Sequence, residues 1–399
     1  MPKPFFDKSI AMAHRLCYNN YIEIIILIIF HGEDFMGENK RLNHFDLLKV
    51  VAMLFVCFAH VYQRTMPGGT KTVVFGVFYS VHMSMFMFVG GYFIKRCERF
   101  LDVIKYFLKM LAYYIYPAIL FTILTVVSMK RYSGKTVIEW LGELVVRTDT
   151  FYWYGIAAFI INGLLAVAYY LSQKLFKRED LRPDLIKNGL TLVLFAVFML
   201  PFIFISRSKN YGLLSSNLII EFVPLAVLGF IFKSFGKYFK TTKRLNTIEL
   251  LFAGLCLALY VLALYNFKGW LDKSTTQKLI LHQLGAICGV YYYYVLTKWL
   301  VKIEFFDKVS ALGKYSYPLY LVHVYLIRVI TPYVSAIKTV DFYSVSFIVI
   351  YALTFAFGSL AISVLLTKNK YVNLVLFGDY KRLLKKKTPH TKKDKLSPT

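Results

Sequence analysis

The sequence predicts an all-α polytopic membrane protein: a bundle of about ten transmembrane helices with both termini cytoplasmic. Three observations carry this. Of the 399 residues, 58% are hydrophobic and 18% aromatic, with a mean hydropathy of +0.54, too apolar for a soluble chain of this length. Apolar runs of about 20 residues, the length that crosses a bilayer, recur along the chain. Most of the 48 Lys and Arg side chains fall on alternate loops together with both chain ends, which orients an even number of spans.

The elements follow in order. Residues 1–40 form a cytoplasmic N-terminal segment. Its apolar stretch, Tyr21 to Phe30, is short, contains Glu23 and lacks a small-residue cleavage site, so it reads as neither a span nor a signal peptide. Met36 precedes a basic lead-in to the first helix and is a candidate native start. The transmembrane domain occupies 41–368, with spans near 45–63, 72–94, 108–128, 151–173, 189–206, 216–235, 248–266, 277–300, 312–333 and 342–367. Lys95 to Lys109 alternates apolar and basic residues, as a cytoplasmic interfacial helix does. Val137, Leu141, Leu144 and Val145 make a similar stripe on the outer side, with Trp140 at headgroup level. A basic tail, 369–399, suits anionic lipid heads rather than nucleic acid, despite the net charge of +26. The five cysteines show no CxxC and no mixed Cys/His cluster, so neither an external disulfide nor a metal site is expected.

Ionisable groups inside apolar runs are the candidates for function, because each is costly in hydrocarbon. Span one carries Asp46, Lys49 and His60. Eleven helical residues return to within about 20° of the starting direction, so Lys49 and His60 share a face roughly 16 Å apart. His60 has the unperturbed pKa of a general base or acyl carrier. Lys49 lies at the cytoplasmic mouth, with Asp46 as a helix-start acid or its neutralising partner. His82 falls near mid-membrane in span two, followed by Gly90-Gly91, which permits close helix approach. Trp153 and Tyr154 open span four at the outer surface, as an aromatic belt or a stacking platform for a sugar. Glu221 and His282 sit towards the outer ends of spans six and eight, and His323 near the middle of span nine, where Pro318 should loosen the helix beneath it. Tyr291 to Tyr294 reads as an interface feature.

Together these patterns resemble the acyltransferase-3 family of integral membrane O-acyltransferases, including the subgroup that acetylates surface sugars. The resemblance runs from about Lys40 to Lys368. Its carriers are the acid-to-His60 first helix, the His82-to-Tyr92 second helix, Trp153, and the Tyr-Ser-Tyr-Pro-Leu-Tyr-Leu-Val-His323 ninth helix. The family places a basic residue, usually arginine, eleven positions before the histidine; here it is Lys49, which keeps the charge but loses the bidentate fork.

The resemblance implies transfer of an acetyl or other short acyl group, such as succinyl, from acyl-CoA to a hydroxyl of a cell-surface or lipid-linked carbohydrate. Acyl-CoA is then a co-substrate, with no bound cofactor and no nucleic-acid partner. Surface-polymer synthesis machinery is a candidate partner, and a bacterial plasma membrane the expected location. His60 and His82 are the implied catalytic pair, Lys49 and Asp46 the donor site, and Trp153, Tyr154, Glu221, His282 and His323 the acceptor site. Base catalysis and a transient acyl-histidine both fit. A polysaccharide or lipid-linked sugar exporter is the alternative, and a non-catalytic assembly subunit a third reading.

Overall fold

The computed structural model describes residues 42–379, less 67–68, 135, 147–151, 177–182, 209–211, 237–242, 267–275 and 337–344. The N-terminal segment with Met36 and most of the basic tail lie outside the described residues. All regular structure among the described residues is helical. Among the described residues, nine helices or helix pairs are long and apolar enough to cross a membrane. The expected ninth span is also a helix, Ser316–Ala336.

The first helix, α1 (Asn43–Thr65), lies inside the bundle and buries Phe45, Leu48, Ala52, Met53, Val56 and Cys57. Span two is not one helix. It breaks at Ser80 and Val81 into α2 (Val73–Tyr79) and α3 (His82–Tyr92). Within a bilayer the carbonyls released by such a break need partners. Tyr260 donates its hydroxyl to the Val77 carbonyl (2.8 Å), and the His82 Nδ1 meets the Phe78 carbonyl (3.0 Å).

The amphipathic stretch before span three is α4 (Phe100–Met110), starting later than Lys95. It continues through a π turn at Leu111–Ile115 into α5 (Tyr116–Ser133) rather than standing apart as an interfacial helix. Pro117 lacks the N–H that would bond the Tyr113 carbonyl, so the helix widens just upstream. The neighbouring Tyr114 carbonyl accepts from the Tyr317 hydroxyl (3.2 Å). The outer-side stripe is α6 (Val137–Val146).

The remaining helices are α7 (Trp153–Leu175), α8 (Pro183–Ser206), α9 (Ser216–Phe235), α10 (Lys243–Asn266), α11 (Thr276–Leu300), α12 (Glu304–Ser310), α13 (Ser316–Ala336), α14 (Val345–Lys368) and α15 (Lys370–Phe377). The bundle centre is α1, α3 and α7, whereas α8 and α10 turn most of their apolar surface outward, as lipid-facing helices do. The Gly90-Gly91 pair fulfils its expected role. A Cβ on Gly91 would strike the Ala226 carbonyl, and one on Gly229 the Phe88 carbonyl, so α3 and α9 touch backbone to backbone. Pro318 falls in the first turn of α13, where a missing N–H costs nothing, and it starts the helix instead of loosening it. Tyr294 packs on Phe45 and Phe88 inside the bundle, not at an interface.

Candidate active site

A cavity of about 840 Å³ opens among α1, α3, α4, α7, α9 and α13. Leu42, Phe93, Lys233 and Lys314 line it at helix ends on the side of the basic loops; Phe86, Tyr154 and Tyr320 line its deeper part. Two features of α1 shape the mouth. Asp46 and Lys49, one turn apart, form an ion pair of 2.6 Å with both side chains largely buried. The short 3-10 helix Ala311–Tyr315 crosses over them, and a Cβ on Gly313 would collide with the Asp46 backbone. That close approach holds Lys314 beside the pair. On the opposite rim Lys233 lies over the Tyr92 ring (5.2 Å), with Arg96 bonded nearby to the Ser234 hydroxyl (3.2 Å).

The cavity therefore carries three lysines against one carboxylate among its lining residues. Its walls are otherwise tyrosine-rich. Tyr113 and Tyr114 come from the π turn, which turns both towards the cavity. Tyr317 and Tyr320 stand on the first turns of α13. A cationic mouth leading to an aromatic interior fits a ligand with an anionic head and an uncharged tail.

Beyond the cavity lie the histidines. His323, fully buried, packs against Tyr320 (ring centroids 5.7 Å), and its other neighbour is His60 (5.6 Å). One ring thus separates the cavity wall from the histidine pair. His323 Nδ1 sits 3.0 Å from the Leu319 carbonyl. A carbonyl only accepts, so Nδ1 carries the proton and the lone pair is left on Nε2. That Nε2 is buried without a protein hydrogen-bond partner. His82 has the same arrangement, with Nδ1 on the Phe78 carbonyl and its lone pair on Nε2. His60 couples electrostatically with both, and with Arg64 and Arg328. His60 itself is partly exposed, whereas His323 is fully buried.

The sequence-derived candidates separate into three groups. Asp46, Lys49 and Tyr154 line the cavity. His60, His82 and His323 cluster at its deep side. Trp153, Glu221 and His282 lie apart from the lining: Trp153 is stacked on Phe222 (5.4 Å, 17°), and His282 Nε2 stands 4.0 Å from the neighbouring Glu221 carboxylate. Tyr152 and Tyr154 are buried against Tyr320, an internal wall rather than a headgroup belt. Sequence reasoning missed Lys233, Lys314 and Asn162. The lysines look like ordinary span-end residues, but Asn162, a polar side chain in the apolar middle of span four, was a visible signal.

The family model described as an acyltransferase domain, Acyl_transf_3, matches residues 42–368. No curated protein and no solved structure matches the chain significantly.

Proposed function

The chain belongs to the acyltransferase-3 family and is a multi-pass membrane acyltransferase; from that premise we propose that it transfers an acetyl or other short acyl group from acyl-CoA to a carbohydrate hydroxyl. The observation that carries this reading is the cationic, tyrosine-lined cavity whose deepest ring, Tyr320, packs on the His323–His60 pair. The basic loops on the side of the mouth favour its opening to the cytoplasm, where acyl-CoA is made. Lys49, Lys233 and Lys314 meet its phosphates, and the pantetheine arm runs inward between the tyrosines.

The thioester then lies beside Tyr320, and the acceptor hydroxyl approaches from the far side of the membrane past His60. His60 takes the hydroxyl proton as the oxygen attacks the thioester carbonyl, and the carbon–sulfur bond breaks. The departing thiolate takes that proton from the imidazolium, giving ester and free CoA. His323, its tautomer fixed by the Leu319 carbonyl, orients His60 and stabilises it when charged. Glu221 and His282 form a separate acid–imidazole pair, suited to hydrogen-bonding a sugar. The acceptor is a cell-surface or lipid-linked glycan of a bacterial plasma membrane.

The test is mass spectrometry of surface glycans from cells with the wild-type protein, with His60→Ala, and without the protein. Loss of O-acyl groups in both altered strains with glycan amount retained is the expected result. Normal acyl content per sugar with impaired polymer export overturns it in favour of an exporter.

A further inference from the structure

Asn162 is a cavity-lining residue whose polarity the mouth charges do not explain. It stands midway along α7 and is 5% exposed. Its Oδ1 is buried with no hydrogen-bond partner. The carboxamide turns its N/O edge to Gly90: a Cβ there would meet Nδ2 at 3.3 Å and Oδ1 at 3.4 Å, with Cγ behind them at 3.8 Å. Gly90 thus leaves the space that lets the amide reach the cavity, and both residues line it. An unmet amide in an apolar bundle costs free energy that leucine, of similar size, avoids. Its persistence at a cavity wall points to a ligand that supplies the missing partner.

We propose that Asn162 is a specificity-determining residue that pairs its carboxamide with an amide group of the donor's pantetheine arm. A carboxamide offers one acceptor and one donor, the complement of a secondary amide's N–H and C=O. The position agrees. Lys49, Lys233 and Lys314 hold the anionic end at the mouth, Tyr320 marks the reacting end, and Asn162 lies on the wall between, where an arm linking phosphate to thioester carries its amides. Phe86 and Val89 beside it offer only apolar surface, and the other hydrogen-bonding groups of the inner wall are tyrosine hydroxyls. The chain would thereby select thioesters of an amide-bearing carrier over simple alkyl thioesters. This inference rests on the acyl-transfer reading above.

The experiment compares two acetyl thioesters on the purified full-length protein in nanodiscs, one of N-acetylcysteamine, which bears one amide, and one of an alkanethiol of equal length. Acetyl-CoA is run beside them. With a glycolipid extract of the host membrane supplied as acceptor throughout, turnover of acetyl-CoA by the wild type tests the acyl-transfer reading alone, and its absence sinks that reading. Given turnover, the wild type should prefer the amide-bearing thioester about tenfold or more in kcat/KM. Asn162→Leu and the smaller Asn162→Ala should abolish that preference by raising KM for the amide-bearing thioester far more than KM for the alkyl thioester. No preference in the wild type, a result that needs no variant to fold, overturns the proposal. So does a preference that survives in both variants.

Discussion

The Asp46–Lys49 pair gives the sharpest test, because its two halves should affect donor binding with opposite signs. The pair is 2.6 Å apart, with side chains 12% and 24% exposed. Lys49→Met leaves a largely buried carboxylate without its cation, and Asp46→Asn does the reverse. Breaking a fully buried pair costs about 3–5 kcal/mol; water in the adjoining cavity brings this to about 1–2 kcal/mol here. Both single variants should therefore lower the melting temperature, and the double variant should recover part of the loss.

Donor affinity behaves differently. A phosphate charge roughly 8 Å from the pair gains or loses about 2 kcal/mol per unit charge at an effective dielectric near 20, reduced to about 1.4 kcal/mol by screening, or tenfold. Lys49→Met should raise the donor KM about tenfold, whereas Asp46→Asn, which frees Lys49, should lower it. The assay is initial rate against acyl-CoA concentration in nanodiscs at two salt concentrations, with melting followed in parallel. Equal increases in KM for both variants would show that the pair serves only to hold the mouth together, and the charge argument would be refuted.

Four further outcomes follow from the geometry. His60→Ala should lower kcat by about 10²–10⁴-fold with the donor KM little changed, as removal of a general base does; a retained kcat assigns the base elsewhere. His323→Asn should retain more activity than His60→Ala and lower kcat without changing donor KM; a loss equal to that of His60→Ala would make the two histidines equivalent. Gly91→Val should destabilise by about 1–3 kcal/mol or more, because the Ala226 carbonyl it meets is backbone and cannot rotate away; an unchanged melting temperature would contradict the contact. Gly378→Ala combines a left-handed φ of +65° with a collision on the Ala112 carbonyl. It should cost about 1–2 kcal/mol in strain alone and raise the donor KM through the π turn; unchanged KM would detach the turn from the cavity.

The bundle was legible because hydrocarbon imposes one rule on every span, and apolar length satisfies it wherever a helix crosses. The clustering of His60 with His323 was not, since their meeting depends on how α1 and α13 pack, although both stood out as ionisable groups in apolar runs. The break between α2 and α3 also left no local trace. Neither Ser80 nor Val81 disfavours helix as glycine or proline does, and the partner that meets the released Val77 carbonyl, Tyr260, lies far along the chain. Trp153 and Tyr154 show a related limit. Aromatic side chains at a helix start fit a lipid interface and a protein interior equally well, and only the contacts with Phe222 and Tyr320 separate the two. Lys233 and Lys314 were hidden for the opposite reason, since lysine at a span end needs no explanation.

The π turn ties distant parts of the chain to the cavity. The Tyr114 carbonyl accepts from the Tyr317 hydroxyl, and the Ala112 carbonyl lies against the backbone of Gly378, too close to admit a side chain there. Tyr113 and Tyr114, which line the cavity, are thus held between the start of α13 and the end of α15. A shift of either late helix reaches the cavity wall through this turn.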